Sequence, residues 1–243
     1  PRSQNAAILE DTVLYIRRSG GSISKIAAMK NAVGNFIDQV TANATGDPAT
    51  NEDDVTHRIG IVKFSGNESD QIGNDTYRSD GNTYNYSQVV QDLTSVTGNV
   101  QSLKNTVNEL AAAGSTRTDF GLNQAQRVLD GDRQHGLGGA REEAKQVVVV
   151  FTDGEPSTFS NWSGGVAANA VNLAKDLKDD KVTVYTIGMF EDADPSDTDG
   201  RFNKYMNGVS SNYPNAEVTN WRGDRTQDWD DCKLGTRVTE GNY

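Results

Sequence analysis

The segment Gln146–Thr152 (QVVVVFT) constrains the fold more than any other part of the chain. Four consecutive valines and a phenylalanine, without alternation of apolar and polar residues, are typical of a strand buried on both faces at the centre of a parallel sheet. We therefore expect this strand to be a central element of the fold.

Other apolar segments predict further strands, at Thr12–Ile16, His57–Phe64 and Lys181–Met189. Between the strands, apolar residues recur at steps of three and four, which predicts amphipathic helices. The first helix follows Ser22 or Ser24 as its cap, and its apolar stripe comprises Ile26, Met29, Val33, Phe36, Ile37 and Val40. Three later helices are marked by Val100, Leu103, Val107 and Leu110, by Leu122, Ala125, Val128 and Leu129, and by Val166, Ala170, Leu173, Ala174 and Leu177. This alternation predicts a doubly wound α/β fold with a mostly parallel central sheet flanked by helices.

The chain shows no internal repeat and no linker, so we predict one domain over residues 1–243. Residues 65–87 are rich in Asn, Asp, Gly, Ser and Tyr without a helical period, which predicts a surface hairpin insertion. Residues 192–243 predict an irregular C-terminal extension without a final helix.

Charge and composition exclude several classes of function. The 23 Lys and Arg residues against 34 Asp and Glu residues give a net charge of −11, which argues against binding of nucleic acid or an anionic membrane. No apolar segment approaches the roughly 20 residues of a membrane span. The single cysteine, Cys232, excludes an internal disulfide. His57 and His135 have no nucleophile nearby in the sequence, and no phosphate-binding glycine loop is present, so we do not expect an enzyme.

Three loops at the predicted carboxyl ends of strands carry hydroxyl or carboxylate groups: residues 17–22 (RRSGGS), 114–119 (GSTRTD) and 153–155 (DGE). Ligands of open α/β sheets bind at this edge. Such groups suit a hard cation such as Mg²⁺. The same residues are also ordinary in helix caps and turns, and the spacing leaves both interpretations open.

The segments around these loops resemble the von Willebrand factor A (VWA) domain, particularly that of Gram-positive surface proteins and pilus adhesins. The matching segments are DTVLYIRRSGGSISKIAAMKNAVGNFI, GSTRTDFGL, VVVVFTDGEP, VTVYTIGM and FNKYMNGVSSNYPNA. They occur in the order of the family and cover most of the chain.

The resemblance implies a metal-ion-dependent adhesion site for Mg²⁺ or Mn²⁺. In the family this site uses an Asp-x-Ser-x-Ser motif after the first strand, a Thr from a second loop and an Asp from a third. Thr116 matches the Thr, and Asp153 matches the third-loop Asp. The implied metal ligands of this chain are Ser19, Ser22, Thr116 and Asp153.

The first loop departs from the motif at its most important position. Counted from the strand, Arg17 stands where the Asp belongs, Ser19 matches the first Ser, and Gly21 replaces the second. Counted back from the Ser-Ile pair at 22–23, Arg18 stands in the Asp position and Ser22 matches the second Ser. A one-residue bulge at the glycines would let both serines contribute.

Either register replaces a carboxylate by a guanidinium, which changes the local charge from −1 to +1. A charge pair about 4 Å apart is worth about 4 kcal/mol at an effective dielectric of about 20. The hypothesis that follows is weak or absent metal binding, with a guanidinium paired to Asp153 in place of the cation. The alternative is that Arg17 and Arg18 both extend into solvent and leave an incomplete site.

The resemblance implies an extracellular adhesin or pilus subunit, in the cell wall or pilus of a Gram-positive bacterium. Its partners would be a host or extracellular-matrix protein, or neighbouring pilus subunits. In the family an acidic side chain of the ligand completes the coordination of the metal. The alternative is a structural or scaffold module with a degenerate, metal-free site.

Three further features have both a functional and a structural interpretation. Tyr77, Tyr84 and Tyr86 could form a contact surface or could pack within the hairpin. Asp194, Asp197 and Asp199 partly resemble a calcium loop but fit a solvated acidic loop better. Arg222-Gly223-Asp224 is an integrin-type tripeptide, although short strings also arise by chance.

Overall fold

The computed structural model describes residues 24–44, 57–66, 76–79, 82–85, 87–112, 114–158, 161–190 and 192–238, which form an α/β fold. Its helices are α1 (Lys25–Ala42), α2 (Val100–Asn108), α3 (Thr118–Asp130), α4 (Gly164–Asp179) and α5 (Arg201–Val209). Its longer strands are β1 (Arg58–Lys63), β2 (Thr76–Ser79), β3 (Asn82–Asn85), β4 (Gln88–Ser95), β5 (Val147–Thr152) and β8 (Thr183–Gly188). The two-residue strands are β6 (Ser157–Thr158), β7 (Asn161–Trp162), β9 (Glu217–Val218) and β10 (Cys232–Lys233). The predicted strand Thr12–Ile16 lies outside the described residues.

Strands β5 and β8 form a parallel two-stranded sheet. They pair in register from Val147 opposite Thr183 to Thr152 opposite Gly188, and α4 is the helix of the crossover between them. Val150 and Thr152 are buried, whereas Val147 at the amino end of β5 is 43% exposed. Val148, Val149 and Phe151 are half-buried, so the expected burial of this strand on both faces is only partial in the structure.

Strands β1 and β4 form a second, antiparallel two-stranded sheet, and the predicted hairpin insertion lies between these two strands in the chain. Within residues 65–87, β2 and β3 form an antiparallel pair that places Tyr77 opposite Tyr84. Tyr86 lies outside the described residues. The insertion is confirmed as a hairpin of four paired positions.

Helix α1 begins after Ser24, which was one of two predicted caps. The Ser24 hydroxyl oxygen accepts a hydrogen bond from the amide of Ala27 at 3.4 Å. Ile37 is fully buried. Phe36 is 38% exposed, so the prediction that it belongs to the apolar stripe that packs inward was wrong. Residues 36 and 37 are about 100° apart around a helix, so one helix position decides which of them faces inward.

Helix α3 holds the two parts of the fold together, because it packs against α4 as well as against β1 and β4. Its glycine, Gly121, lies against the ring of Phe64 at the end of β1. A methyl group placed on Gly121 would lie 2.7 Å from Phe64 Cδ1. A larger residue would therefore separate α3 from β1.

Helix α5 lies within residues 192–243, so the prediction of no final helix was wrong. Its inward face carries Tyr205, Met206 and Val209, which are buried in the main core. These residues do recur at helical spacing, but Asn203, Asn207 and Gly208 have low helix propensity and obscure the pattern. Tertiary packing stabilises this helix in spite of its composition.

No helix among the described residues combines the length and the apolar character that a membrane span requires.

Candidate functional site

Asp153 follows the last residue of β5, at the carboxyl edge of the parallel strands. The chain turns there because the Thr152 hydroxyl donates a hydrogen bond to the carbonyl oxygen of Gly154 at 2.9 Å. Thr152 is buried and Asp153 is exposed, so the turn presents the carboxylate beyond the end of the strand.

The loop that carries Thr116 is fastened to the loop that carries Asp153. The Thr116 amide donates to the Ser157 hydroxyl at 3.0 Å, and the Ser157 amide donates to the Thr116 carbonyl oxygen at 3.0 Å. A methyl group placed on Gly154 would lie 3.2 Å from Thr116 Oγ1. The structure thus brings two of the predicted site residues, from distant parts of the chain, to one place.

A third residue of this site, Lys25, was not predicted. Its ammonium group donates a hydrogen bond to the carbonyl oxygen of Asp153 at 3.1 Å, and it lies 3.9 Å from the carboxylate oxygen Oδ2. Lys25 is the first residue of α1, so its position follows from the start of that helix. No local pattern connects it with a residue 128 positions away, and sequence reasoning therefore missed it.

The segment next to Thr116 is held by a buried ion pair. The Arg117 guanidinium donates to both carboxylate oxygens of Asp119 at 2.9 Å, and it stacks 3.5 Å above the ring of Phe120. The side chains of Arg117 and Asp119 are only 8% and 5% exposed. Because both oxygens of the Asp119 carboxylate accept hydrogen bonds from Arg117, Asp119 stabilises the loop and does not face a ligand.

Glu155 lies in the same turn as Asp153 and forms an ion pair with α5. Arg201 donates to Glu155 Oε2 at 2.6 Å, and its guanidinium carbon lies 4.6 Å from the centre of the Trp162 ring. Trp162 in turn packs edge-on against Tyr205 and Trp229. One flank of the site is therefore an aromatic cluster with a cation stacked on it.

The described part of the site fits a divalent cation poorly. It contributes one carboxylate and one hydroxyl, and the carboxylate of Asp153 already has an ammonium group beside it. In the described ranges, no group of three His, Cys, Asp or Glu side chains is arranged to hold a metal ion. The other predicted positions, Arg17, Arg18, Ser19, Gly21 and Ser22, lie outside the described residues.

The acidic loop before α5 is organised by internal hydrogen bonds. Asp197 Oδ1 accepts from the amides of Asp199 and Gly200 at 2.9 and 2.8 Å, and Oδ2 accepts from Asn203. These bonds lower the pKa of Asp197, with the Gly200 amide as the largest cause. Asp194 accepts from the amide and hydroxyl of Ser196, which lower its pKa likewise. The carboxylates thus shape the entry to α5 and do not converge on a calcium ion.

Both histidines have structural contacts. His135 Nδ1 lies 2.8 Å from Asp132 Oδ2, which also accepts from Arg127 Nη2 at 2.6 Å. The hydrogen bond from Arg127, followed by those from His135, lowers the pKa of Asp132 to about 2. The carbonyl oxygen of His57 accepts from the amide of Val96 at the end of the β1–β4 pair.

The arrangement of a parallel sheet with paired Thr and Asp loops at its carboxyl edge agrees with the family comparison. The model of the von Willebrand factor type A domain matches residues 16–222, and the chain therefore belongs to this family. Domains of this family are generally adhesion or scaffold modules without enzymatic activity. Comparison with curated protein sequences gives no significant match.

Among solved structures, the chain resembles two proteins at low identity. One is proximal thread matrix protein 1 from the mussel byssus, with a TM-score of 0.45, 16% identity, and coverage of 76% of this chain and 36% of that chain. A further structure of that protein has zinc in its metal-ion-dependent adhesion motif, with the same values. The other is the pilus adhesin SpaC from Lactobacillus rhamnosus GG in its open conformation, with a TM-score of 0.48, 17% identity, and coverage of 76% and 24%. The match thus spans about a quarter to a third of the length of these proteins.

Proposed function

We propose that this VWA domain is the binding module of an extracellular adhesin or pilus subunit in the cell wall or pilus of a Gram-positive bacterium. It binds a host or matrix protein, or a neighbouring pilus subunit, through the carboxyl edge of its sheet. The observation that supports this proposal is the junction of the Thr116 and Asp153 loops, which Ser157 fastens. The resemblance to the family implies that both residues belong to its adhesion site.

The proposed site works with the protein's own cations in place of Mg²⁺ or Mn²⁺. Lys25 contributes an ammonium group beside Asp153, and the sequence adds Arg17 and Arg18 in the loop where the family has a carboxylate. An acidic side chain of a partner would then pair with these cations directly, because guanidinium and carboxylate groups form strong charge-assisted hydrogen bonds. If a metal binds, Ser19, Ser22, Thr116 and Asp153 hold it, and it supplies a cation for that acidic side chain.

The second candidate function is a scaffold module whose adhesion site has degenerated. The observation that favours it is the contact between Lys25 and Asp153, because it places a cation beside the one carboxylate that the described part of the predicted site contributes. In this case the domain spaces or assembles the protein and binds nothing at the sheet edge.

Surface plasmon resonance on immobilised fibronectin, fibrinogen and collagen separates these functions. We expect the wild-type chain to bind equally well in EDTA and in Mg²⁺ or Mn²⁺. Lys25→Ala should weaken this binding because it removes one of the cations. Asp153→Ala removes the carboxylate that competes for the same cations and should strengthen binding. Asp179→Ala, an exposed change at the end of α4, is the matched control and leaves binding unchanged.

Two other outcomes contradict the proposal. Binding that requires a divalent cation and is lost in EDTA contradicts the metal-free site. Absence of binding by the wild-type chain, with metal-dependent binding after Arg17→Asp and Gly21→Ser together, supports the degenerate scaffold module.

A further inference from the structure

The turn around Arg222-Gly223-Asp224 is ordered by internal hydrogen bonds, although its residues are exposed. Asn220 forms most of the hydrogen bonds in this turn. Its side-chain oxygen accepts from the backbone amides of Arg222 and Asp224 at 2.8 and 3.1 Å, and its backbone amide donates to the Asp224 carbonyl oxygen at 2.9 Å. The Gly223 amide donates to the carbonyl oxygen of Asn220 at 3.0 Å. Gly223 has a φ of +85°, a conformation in which glycine is unstrained.

The side chains at the tip of this turn face solvent. Trp221 is 84% exposed, and Arg222, Gly223 and Asp224 are exposed as well. The guanidinium carbon of Arg222 lies 4.6 Å from the centre of the Trp221 ring, so the cation and the indole form one surface. The Asp224 carboxylate has only a long contact, 3.4 Å from the side-chain amide of Asn220.

A large aromatic side chain held in water by an ordered turn suggests an interface. Tryptophan and arginine are the residues most enriched among those that dominate protein binding energies. A turn that is already ordered loses little conformational entropy on binding, which improves affinity for a given set of contacts. The Asp224 carboxylate also differs from that of Asp132, which is held by Arg127 and His135.

We propose that the turn 220–224 is itself a ligand, and that it docks into an integrin-type receptor that holds a divalent cation beside an acidic pocket. The Asp224 carboxylate completes the coordination of the receptor's cation, because hard dications prefer carboxylate oxygen. Arg222 pairs with the acidic pocket, and Trp221 packs against the receptor surface beside it. This surface shares no residue with the Thr116–Asp153 site, so the chain presents a ligand in addition to its own proposed binding site.

Surface plasmon resonance with a purified integrin ectodomain that binds Arg-Gly-Asp peptides tests the proposal. We expect the wild-type chain to bind in Mn²⁺, to dissociate in EDTA and to be displaced by a cyclic Arg-Gly-Asp peptide. Asp224→Glu keeps the charge but lengthens the side chain, and it should weaken binding at least about 30-fold, as for a residue that dominates an interface. Asp230→Glu, a matched change at another exposed aspartate, leaves affinity unchanged.

Two further variants test the rigidity of the turn and the independence of the site. Asn220→Ala removes the acceptor that orders the turn, and we expect it to weaken binding several-fold with the tripeptide intact. Asp153→Ala leaves binding to the integrin unchanged, which distinguishes this proposal from the proposed function. Absence of Mn²⁺-dependent binding, or binding that Asp224→Glu does not weaken, overturns the proposal.

Discussion

Lys25 contacts Asp153 twice, through a hydrogen bond from its ammonium group to the backbone carbonyl oxygen and through the carboxylate 3.9 Å away. The side chains are 62% and 53% exposed, so water screens the attraction and the pair is readily opened. The relevance of this contact lies in its position: a cation lies beside Asp153, which the resemblance to the family implies as a metal ligand.

Removal of this ammonium group should favour metal binding. We expect Lys25→Ala to raise the affinity for Mn²⁺ about tenfold, which corresponds to about 1.4 kcal/mol, because a dication no longer meets a like charge. Isothermal titration calorimetry measures the change. Lys30→Ala is the matched control, since Lys30 lies on the same helix but donates to the Asn108 carbonyl oxygen. Equal Mn²⁺ affinities of Lys25→Ala and the wild type would show that the ammonium group does not compete with metal.

The site shows what sequence reasoning reaches and where it stops. The resemblance to the family predicts Thr116 and Asp153 as site residues, and the structure brings their loops together. Lys25 was missed because its partner is distant in the chain, and Ser157 was missed because its role is to hold another loop. Local periodicity predicts elements, but contacts between loops depend on the packing of the whole sheet.

The Arg117–Asp119 pair should be essential for stability. Asp119→Ala leaves a buried guanidinium without its carboxylate, and we expect a loss of about 3–5 kcal/mol in the free energy of unfolding. Replacement of both residues, as Arg117→Met with Asp119→Leu, removes both charges and should recover part of the loss.

Chemical denaturation followed by circular dichroism measures these changes. Asp176→Ala breaks the partly exposed ion pair with Arg225 and serves as the control, with an expected loss of about 0–1 kcal/mol. If Asp119→Ala lowers the free energy of unfolding no more than Asp176→Ala does, the buried pair has no structural role.

Lys178 should make stability depend on pH in the alkaline range. Its ammonium group donates to the carbonyl oxygens of Gly208 in the last turn of α5 and of Tyr213 beyond it, at 2.9 and 3.0 Å. Burial, assisted by the nearby Lys175, lowers the pKa of Lys178 to about 8 from 10.5. Between these values the unfolded chain binds more protons than the folded chain, so the free energy of unfolding rises with pH. A shift of this size corresponds to a rise of about 3 kcal/mol across the interval.

The contribution of Lys178 is isolated by comparison with Lys178→Met. As the pH rises from about 8 to about 10.5, we expect the unfolding free energy of the wild type to increase relative to that of this variant. Lys30→Met is the control, because that lysine lies on α1 and donates to the Asn108 carbonyl oxygen, away from Lys178. If Lys178→Met and the wild type show parallel pH profiles, the buried amine does not titrate in this range.

The contact between Gly121 and Phe64 predicts opposite effects for two glycine-to-alanine changes in helices. Gly121→Ala places a methyl group 2.7 Å from Phe64 Cδ1 and 2.9 Å from its Cβ, so Phe64 cannot move aside by rotation of its ring alone. We expect a loss of about 1–3 kcal/mol, as for other overpacked positions. Gly34→Ala in α1 meets no atom of the described residues within 4 Å, and it should gain about 0.5–1 kcal/mol from helix propensity. Urea denaturation of both variants measures the difference, and a gain for Gly121→Ala would mean that α3 does not rest on β1 as closely as the structure has it.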